Sequence, residues 1–290
     1  MSAAISPYDA SPASPAPPAL ERAHGRLHLV LGTRAGRTVL HRLRQEGCLK
    51  ARFPRPAASS PVLEAVLLNL SGGIASADRL DIAVELLAGE AAMATQAAER
   101  LYRAPPGGAP AHLRTRLAIA AGARLEWLPQ ETILFHGAKL DRALTVSLAP
   151  GAHFLGAETL VFGRAAMGET MRAGSLRDLI RLEQAGTPLL HDALRLAGDI
   201  AAHLARPALA RGATALTTLL AAGPEAEARL PALRAALAAA PEGVEAAASA
   251  RPGLLLARLL APTAAAARAT LLPALAVLRE TRPLPRVWLC

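Results

Sequence analysis

The stretch Asn69-Leu70-Ser71-Gly72-Gly73-Ile74 has the look of a loop whose backbone N–H groups grip a phosphate. It lacks the Gly-Lys-Ser/Thr that would bring an ammonium to the β- and γ-phosphates and a hydroxyl to Mg²⁺. A tight turn in which Gly supplies positive φ accounts for it. Metal ligation has equally little to build on. His24 and His28 would share a helix face, but this stretch reads as loop running into strand, where four residues span about 13 Å. There is no HExxH, CxxC or His-x-His, and His41, His112, His136, His153, His191 and His203 are scattered. No permanently bound cofactor is expected. A transient set of carboxylates and imidazoles stays open, because Ni²⁺ accepts oxygen and nitrogen ligands alike.

Hydrolytic chemistry needs a nucleophile, a base and a group that orients the base. Ser71 and Ser147 lack the G-x-S-x-G elbow. Cys48 has Lys50 nearby, which would lower a thiol pKa, although a small buried cysteine explains it as well. Glu131 and His136 are close enough in sequence to act as an acid/base pair, or to be two ordinary turn residues. A hydrolase using Glu131/His136 or Cys48 therefore stays open as an alternative, without a catalytic signature behind it.

The elements that would position these groups are mostly short strands. Leu113, Thr115, Leu117 and Ile119 fall on one face of an extended segment, with His112, Arg114 and Arg116 on the other. Leu80, Ile82, Val84 and Leu86 repeat the pattern, as does Leu140 to Val146. Turn signals stand between them: Gly72-Gly73, Gly89, Pro105-Pro106-Gly107-Gly108, Gly122 and Pro150-Gly151. Many short strands about ten residues apart predict a sandwich, barrel or β-solenoid. No fixed-period repeat marks a regular solenoid.

After residue 206 the period changes. Gly223-Pro224, with Glu225 and Glu227 behind it, opens a helix whose Leu230, Leu233 and Leu237 share a side up to Pro241. Gly253 to Leu260 reads as a strand. Pro262-Thr263 opens a second helix carrying Leu271, Leu272, Leu275 and Leu278, which Pro273 should kink or divide. Val287-Trp288-Leu289 reads as a docked extended tail. Residues 1–20, rich in Ala, Pro and Ser, are expected to be a disordered leader. Residues 21–290 are read as one body, strand-rich over 25–206 and mixed α/β over 207–290.

Lys and Arg total 32 against 23 Asp and Glu, a formal charge of +9 over 290 residues. That excess attracts acidic partners, and a basic nucleic-acid-binding adaptor is the second alternative. Aromatics are only 3%, too few for a base-stacking platform, so no nucleic acid is expected. No apolar run is long enough to cross a membrane, no secretory signal is evident, and the two cysteines, Cys48 and Cys290, form no disulfide framework. A cytoplasmic chain with no membrane contact is expected.

Several blocks, in this order, resemble the UreD (UreH) family of urease accessory proteins. They are Leu43 to Pro54, with Glu46-Gly47-Cys48-Leu49-Lys50 inside it, then Ala65 to Asp78, with Asn69-Leu70-Ser71-Gly72-Gly73-Ile74-Ala75-Ser76-Ala77-Asp78 at its end, then Thr95 to Arg103. Leu125-Glu126-Trp127-Leu128-Pro129-Gln130-Glu131-Thr132-Ile133, Gly163-Arg164-Ala165-Ala166-Met167-Gly168-Glu169 and the closing Leu284-Pro285-Arg286-Val287-Trp288 follow. Leu70 stands where Thr is usual, Ala77 where Gly is usual, and His136 where Asp is expected. The resemblance implies a mainly β, irregular β-helical body of stacked strands with about two C-terminal α-helices, and no catalytic activity. It implies a scaffold that binds apo-urease and, with UreF and UreG, delivers nickel along an internal polar path. Weak oxygen and nitrogen ligands suit such a path, since a thiolate cage would trap the ion. Glu46, Asp78, Glu131 and Glu169, with His136 in place of an oxygen ligand, are the candidate lining. A buried acid paired with Arg, as Glu169 with Arg164 or Asp78 with Arg79, is the competing reading for each.

Overall fold

The computed structural model describes residues 21–55, 62–280 and 282–289; the leader expected over 1–20 lies outside the described residues. The chain lays down β1 (His24–Arg34), β2 (Arg37–Gly47), β3 (Leu49–Arg52), β4 (Leu63–Asn69), β5 (Arg79–Leu86), β6 (Glu90–Thr95) and β7 (Glu99–Leu101). Then come β8 (Ala111–Ile119), β9 (Arg124–Trp127), β10 (Thr132–Leu134), β11 (Lys139–Leu148), β12 (His153–Phe162), β13 (Ser175–Gln184) and β14 (Thr187–Ala197). The remainder is α1 (Ile200–Leu204), β15 (Ala215–Ala222), α2 (Leu230–Ala238), β16 (Glu245–Arg251), β17 (Leu254–Ala261) and α3 (Ala264–Arg279).

Through the middle of the chain β5, β8, β11 and β13 of one sheet alternate with β6, β9 and β12 of another. In the first sheet β1, β5, β8, β11 and β13 run parallel, flanked by β2 and β14 as antiparallel edges. One rung reads Leu27, Ile82, Thr115, Leu144, Ile180 straight across the five strands. The second sheet has the order β16-β17-β15-β12-β9-β6-β4-β3, with β4, β6, β9 and β12 parallel. The result is a solenoid-like stack. Gly89, Gly122 and Gly151 turn the chain from the first sheet to the second in three successive coils, all with φ between 71 and 89°. Unequal chain lengths separate these glycines, which is why no fixed period shows in the sequence.

Alternation decides what fills the stack. Leu27, Leu29 and Leu31 of β1, Leu140, Leu144, Val146 and Leu148 of β11, and Phe154, Leu160 and Phe162 of β12 meet in the core between the sheets. Burying each such side chain contributes roughly 1.5–3 kcal/mol relative to exposure. A second core lies outside the second sheet, where α2 and α3 bring Leu233, Leu237, Leu271 and Leu275 onto Leu155, Leu219, Leu255 and Leu259.

Three local expectations differ from the structure, and one element was not expected. The Gly223-Pro224 segment opens with a 3-10 turn over Ala226–Arg229, and the α-helix starts only at Leu230. α3 runs unbroken through Pro273, because Pro273 and Ala269, whose carbonyl loses its partner, both face solvent. The tail docks as expected but through a 3-10 turn over Arg286–Trp288, with Trp288 Nε1 donating to the Leu128 carbonyl at 3.0 Å. The short α1, capped by Asp199 accepting from the Ala202 N–H at 3.0 Å, had no counterpart in the sequence reading.

Candidate functional site

A charged cluster sits inside the stack. Arg142 lies on β11 in the same register as Leu140 and Leu144, so the alternation that buries leucines buries a guanidinium. Its direct neighbour on β13 is Asp178, and the parallel register sets the two side chains side by side. Arg142 Nε donates to Asp178 Oδ1 at 2.8 Å and Nη2 to Oδ2 at 2.7 Å, a bidentate fork. From the opposite sheet, Glu158 of β12 accepts from Arg142 Nη1 at 2.6 Å and from Trp127 Nε1 at 2.7 Å. Thr132 Oγ1 accepts from Nη1 at 3.3 Å.

Two carboxylates thus face one guanidinium in a water-poor interior. Burial pushes the Glu158 carboxyl above the ordinary carboxylate range, against the pull of Arg142. Arg142 itself is held firmly charged, since Asp178 and Glu158 outweigh its desolvation. The cluster therefore favours an added positive charge over an added negative one.

Cavities flank the cluster on both sides, and Arg142 and Glu158 line both. The larger, about 70 Å³, is also lined by Asn69, Thr95, Glu99, Gln130 and Thr132. The smaller, about 10 Å³, is lined by Asp178, Asp192, Thr218 and Arg258. The first is walled mainly by apolar side chains, among them Leu49, Leu67, Leu80 and Ile82, which these polar groups interrupt, and the second has room for about one water. Burial pushes the Glu99 carboxyl up, while the Asn69 amide, donating at 3.2 Å, partly offsets this. Asp192 pairs with Arg258 at 2.5 Å. A line of carboxylates (Glu99, Glu158, Asp178, Asp192) thus runs between the sheets.

The five sequence candidates fall elsewhere, and neither cavity is lined by any of them. Glu46 is on β2, ion-paired with Arg44 at 2.5 Å on the surface. Asp78 is buried, and its carboxylate accepts from the Ala23 and Ala75 N–H groups at 2.8 and 2.7 Å rather than pairing with Arg79. Glu131 faces Arg268 of α3 at 3.4 Å. Only His136 and Glu169 come together: the His136 N–H donates to Glu169 Oε1 at 3.1 Å, and His136 Nδ1 accepts from the Arg172 N–H at 3.2 Å. Glu169 also takes the expected pair with Arg164 at 2.6 Å, which holds its carboxyl below the usual range. Among the described residues no three His, Cys, Asp or Glu side chains gather in a metal-holding group.

The acid/base alternative finds Glu131 and His136 engaged with these separate partners. Burial pushes the Cys48 thiol up, the wrong direction for a nucleophile. The Gly-rich stretch is a turn: Gly72 and Gly73 have positive φ, and Asn69 Oδ1 accepts from the Ser71 N–H at 3.1 Å. No helix of the described residues is long and apolar enough to cross a membrane.

The cluster residues had a readable signal that the sequence reading passed over. Arg142 and Asp178 each occupy a core position in an otherwise apolar alternation, Leu140-Arg142-Leu144 and Leu176-Asp178-Ile180. A charge in a buried register demands a partner on a neighbouring strand.

The sequence profile of the family described as UreD urease accessory protein matches residues 23–289. A urease accessory protein UreD of Chelativorans sp. is 44% identical over 277 residues, covering 95% of this chain and 96% of the relative. That of Sinorhizobium medicae is 43% identical over 272 residues, 92% of this chain and 96% of the relative. That of Methylobacterium sp. is 46% identical over 223 residues, 76% of this chain and 78% of the relative.

Proposed function

The chain belongs to the UreD family of urease accessory proteins, and from that premise we propose that it is a non-enzymatic maturation scaffold in the cytoplasm. It binds apo-urease and, with UreF and UreG, passes nickel to the urease active site. Nickel is cargo here, held in transit and released. The observation that supports an internal route is the row of carboxylates between the sheets, with cavities on both sides of Arg142 and Glu158. Carboxylate oxygens spaced singly along a wet passage bind a divalent ion weakly enough to release it. His136 and Glu169, the one candidate pair that meets, form a second polar point outside both cavities and serve as an accessory ligand pair near the surface.

The experiment measures nickel content and activity of urease co-expressed with all accessory proteins, with and without this chain. We expect urease assembled without it to be low in nickel, and the intact chain to restore loading. A chain carrying Glu99→Gln and Asp192→Asn is expected to restore it severalfold less well. Equal loading without the chain overturns the maturation role. Full loading by the double variant overturns only the route.

A further inference from the structure

A separate pocket lies on the opposite face of the second sheet from the carboxylate row. It has a volume of about 220 Å³ and is bounded by the ends of β9 and β12, the Ala226–Arg229 turn and the chain just past α3. Arg124 and His153, direct register neighbours on β9 and β12, line it, and Glu90 on β6 adjoins Arg124 from beyond the pocket. Arg282 and Arg229 reach in from the far side.

Three of the four carboxylates around it are already engaged. Glu280 pairs with Arg229, and Glu126 takes Arg279 at 2.8 Å. Glu90 lies 3.4 Å from Arg282, and Glu225 stands exposed at the rim. Arg124 is different. Its guanidinium is half-buried and makes no hydrogen bond or ion pair with any described side chain; Arg282 and Arg229 add like charge, which Glu90 and Glu126 partly oppose from beyond contact. A guanidinium offers five donors in a planar fork. Its solvent-facing donors are left to water, and an oxyanion that replaces this water gains charge-assisted hydrogen bonds to the fork.

We propose that this pocket is a binding site for a small free oxyanion of the phosphate class, held by Arg124 with Arg282 and Arg229 around it. This is independent of the nickel route. Arg124 and Arg282 donate to the oxyanion, and His153 stands at its edge. His153 is held below its ordinary pKa by burial first, and then by Arg124 and Arg282, with Glu90 opposing. An anion between these groups and the imidazole reverses part of that shift. Binding therefore draws a proton toward His153.

The test titrates the full chain with inorganic phosphate at constant ionic strength made up with sodium chloride, by calorimetry and by histidine ring NMR. The His153 signals are identified with His153→Gln. One saturable equivalent is expected, with the His153 resonances moving as phosphate is added. Arg124→Gln is expected to weaken binding at least about tenfold. Ala228→Glu, an exposed change on the 3-10 turn that lines the pocket, sets a competing carboxylate at its mouth and is expected to do the same. It decides the matter if Arg124→Gln fails to fold. Unsaturable binding, unchanged affinity in either folded variant, or binding of phenyl phosphate without binding of inorganic phosphate would each overturn the assignment.

Discussion

Two buried arginine–carboxylate groups lie on opposite faces of the same sheet, and they are built differently. The inner one, Arg142 with Asp178 and Glu158, is closed: both oxygens of both acids are hydrogen-bonded. The outer one is not. Arg279 Nε and Nη2 both crowd onto Glu126 Oε2 at 2.8 Å. Glu126 Oε1 is buried without a hydrogen bond, only facing Arg282 at 3.4 Å. The reason lies in the elements. Arg142 and Asp178 are register partners on adjacent strands, with Glu158 on the strand facing them. Arg279 closes α3, and Arg282 follows Glu280, whose φ of 58° turns the chain away from the helix. Strand register delivers paired geometry; a helix end followed by a tail delivers proximity.

The largest expected effect breaks the closed group. Arg142→Met leaves Asp178 and Glu158 buried together without their cation, a loss of about 3–5 kcal/mol. Urea unfolding at neutral pH measures it. A loss below about 1 kcal/mol would show that water reaches the cluster and that it is not closed. The open group should respond less. Glu126→Gln keeps shape but removes the charge facing Arg279, and about 2 kcal/mol is expected by the same measurement. A cost equal to that of Arg142→Met would erase the distinction between the two groups.

The same contrast explains what could be read in the sequence. Alternating leucines made the strand-rich body and its inner face legible, and the C-terminal change of period made both long helices legible. The inner cluster was legible in principle, because Arg142 and Asp178 interrupt apolar alternations. The outer group was not: Arg279 and Glu126 lie 153 residues apart and meet only once α3 packs on the sheet. Nor was the Arg124–His153 row, which exists only when register is known. Ala77 is instructive the other way. It stands where Gly is usual in the resembling block, and it adopts φ of 68°, a conformation that costs an L-residue roughly 1–2 kcal/mol. The five site candidates came from blocks of resemblance, and those blocks hold turns and caps, such as Asp78 on two backbone N–H groups, as well as any passage.

The smallest effect has the opposite sign and sharpens the comparison most. Glu99 lines the inner cavity with its carboxyl pushed up by burial. The folded chain then holds that proton more tightly than the unfolded chain, so this residue's contribution falls as pH rises from the ordinary glutamate value through the raised one. At neutral pH the charged form is a net cost. Glu99→Gln removes it while leaving an oxygen to accept from Asn69, and is expected to stabilise the fold by up to about 1 kcal/mol at pH 7. The gain should vanish near roughly pH 4, where both states are protonated. Unfolding midpoints of the two proteins across pH 4 to 8 give the test. The identical amide swap at Glu126 destabilises, since there the charge faces a guanidinium. If Glu99→Gln also destabilises at neutral pH, Glu99 answers to a cation already, and the inner row is a set of finished ion pairs with no vacancy for a passing metal.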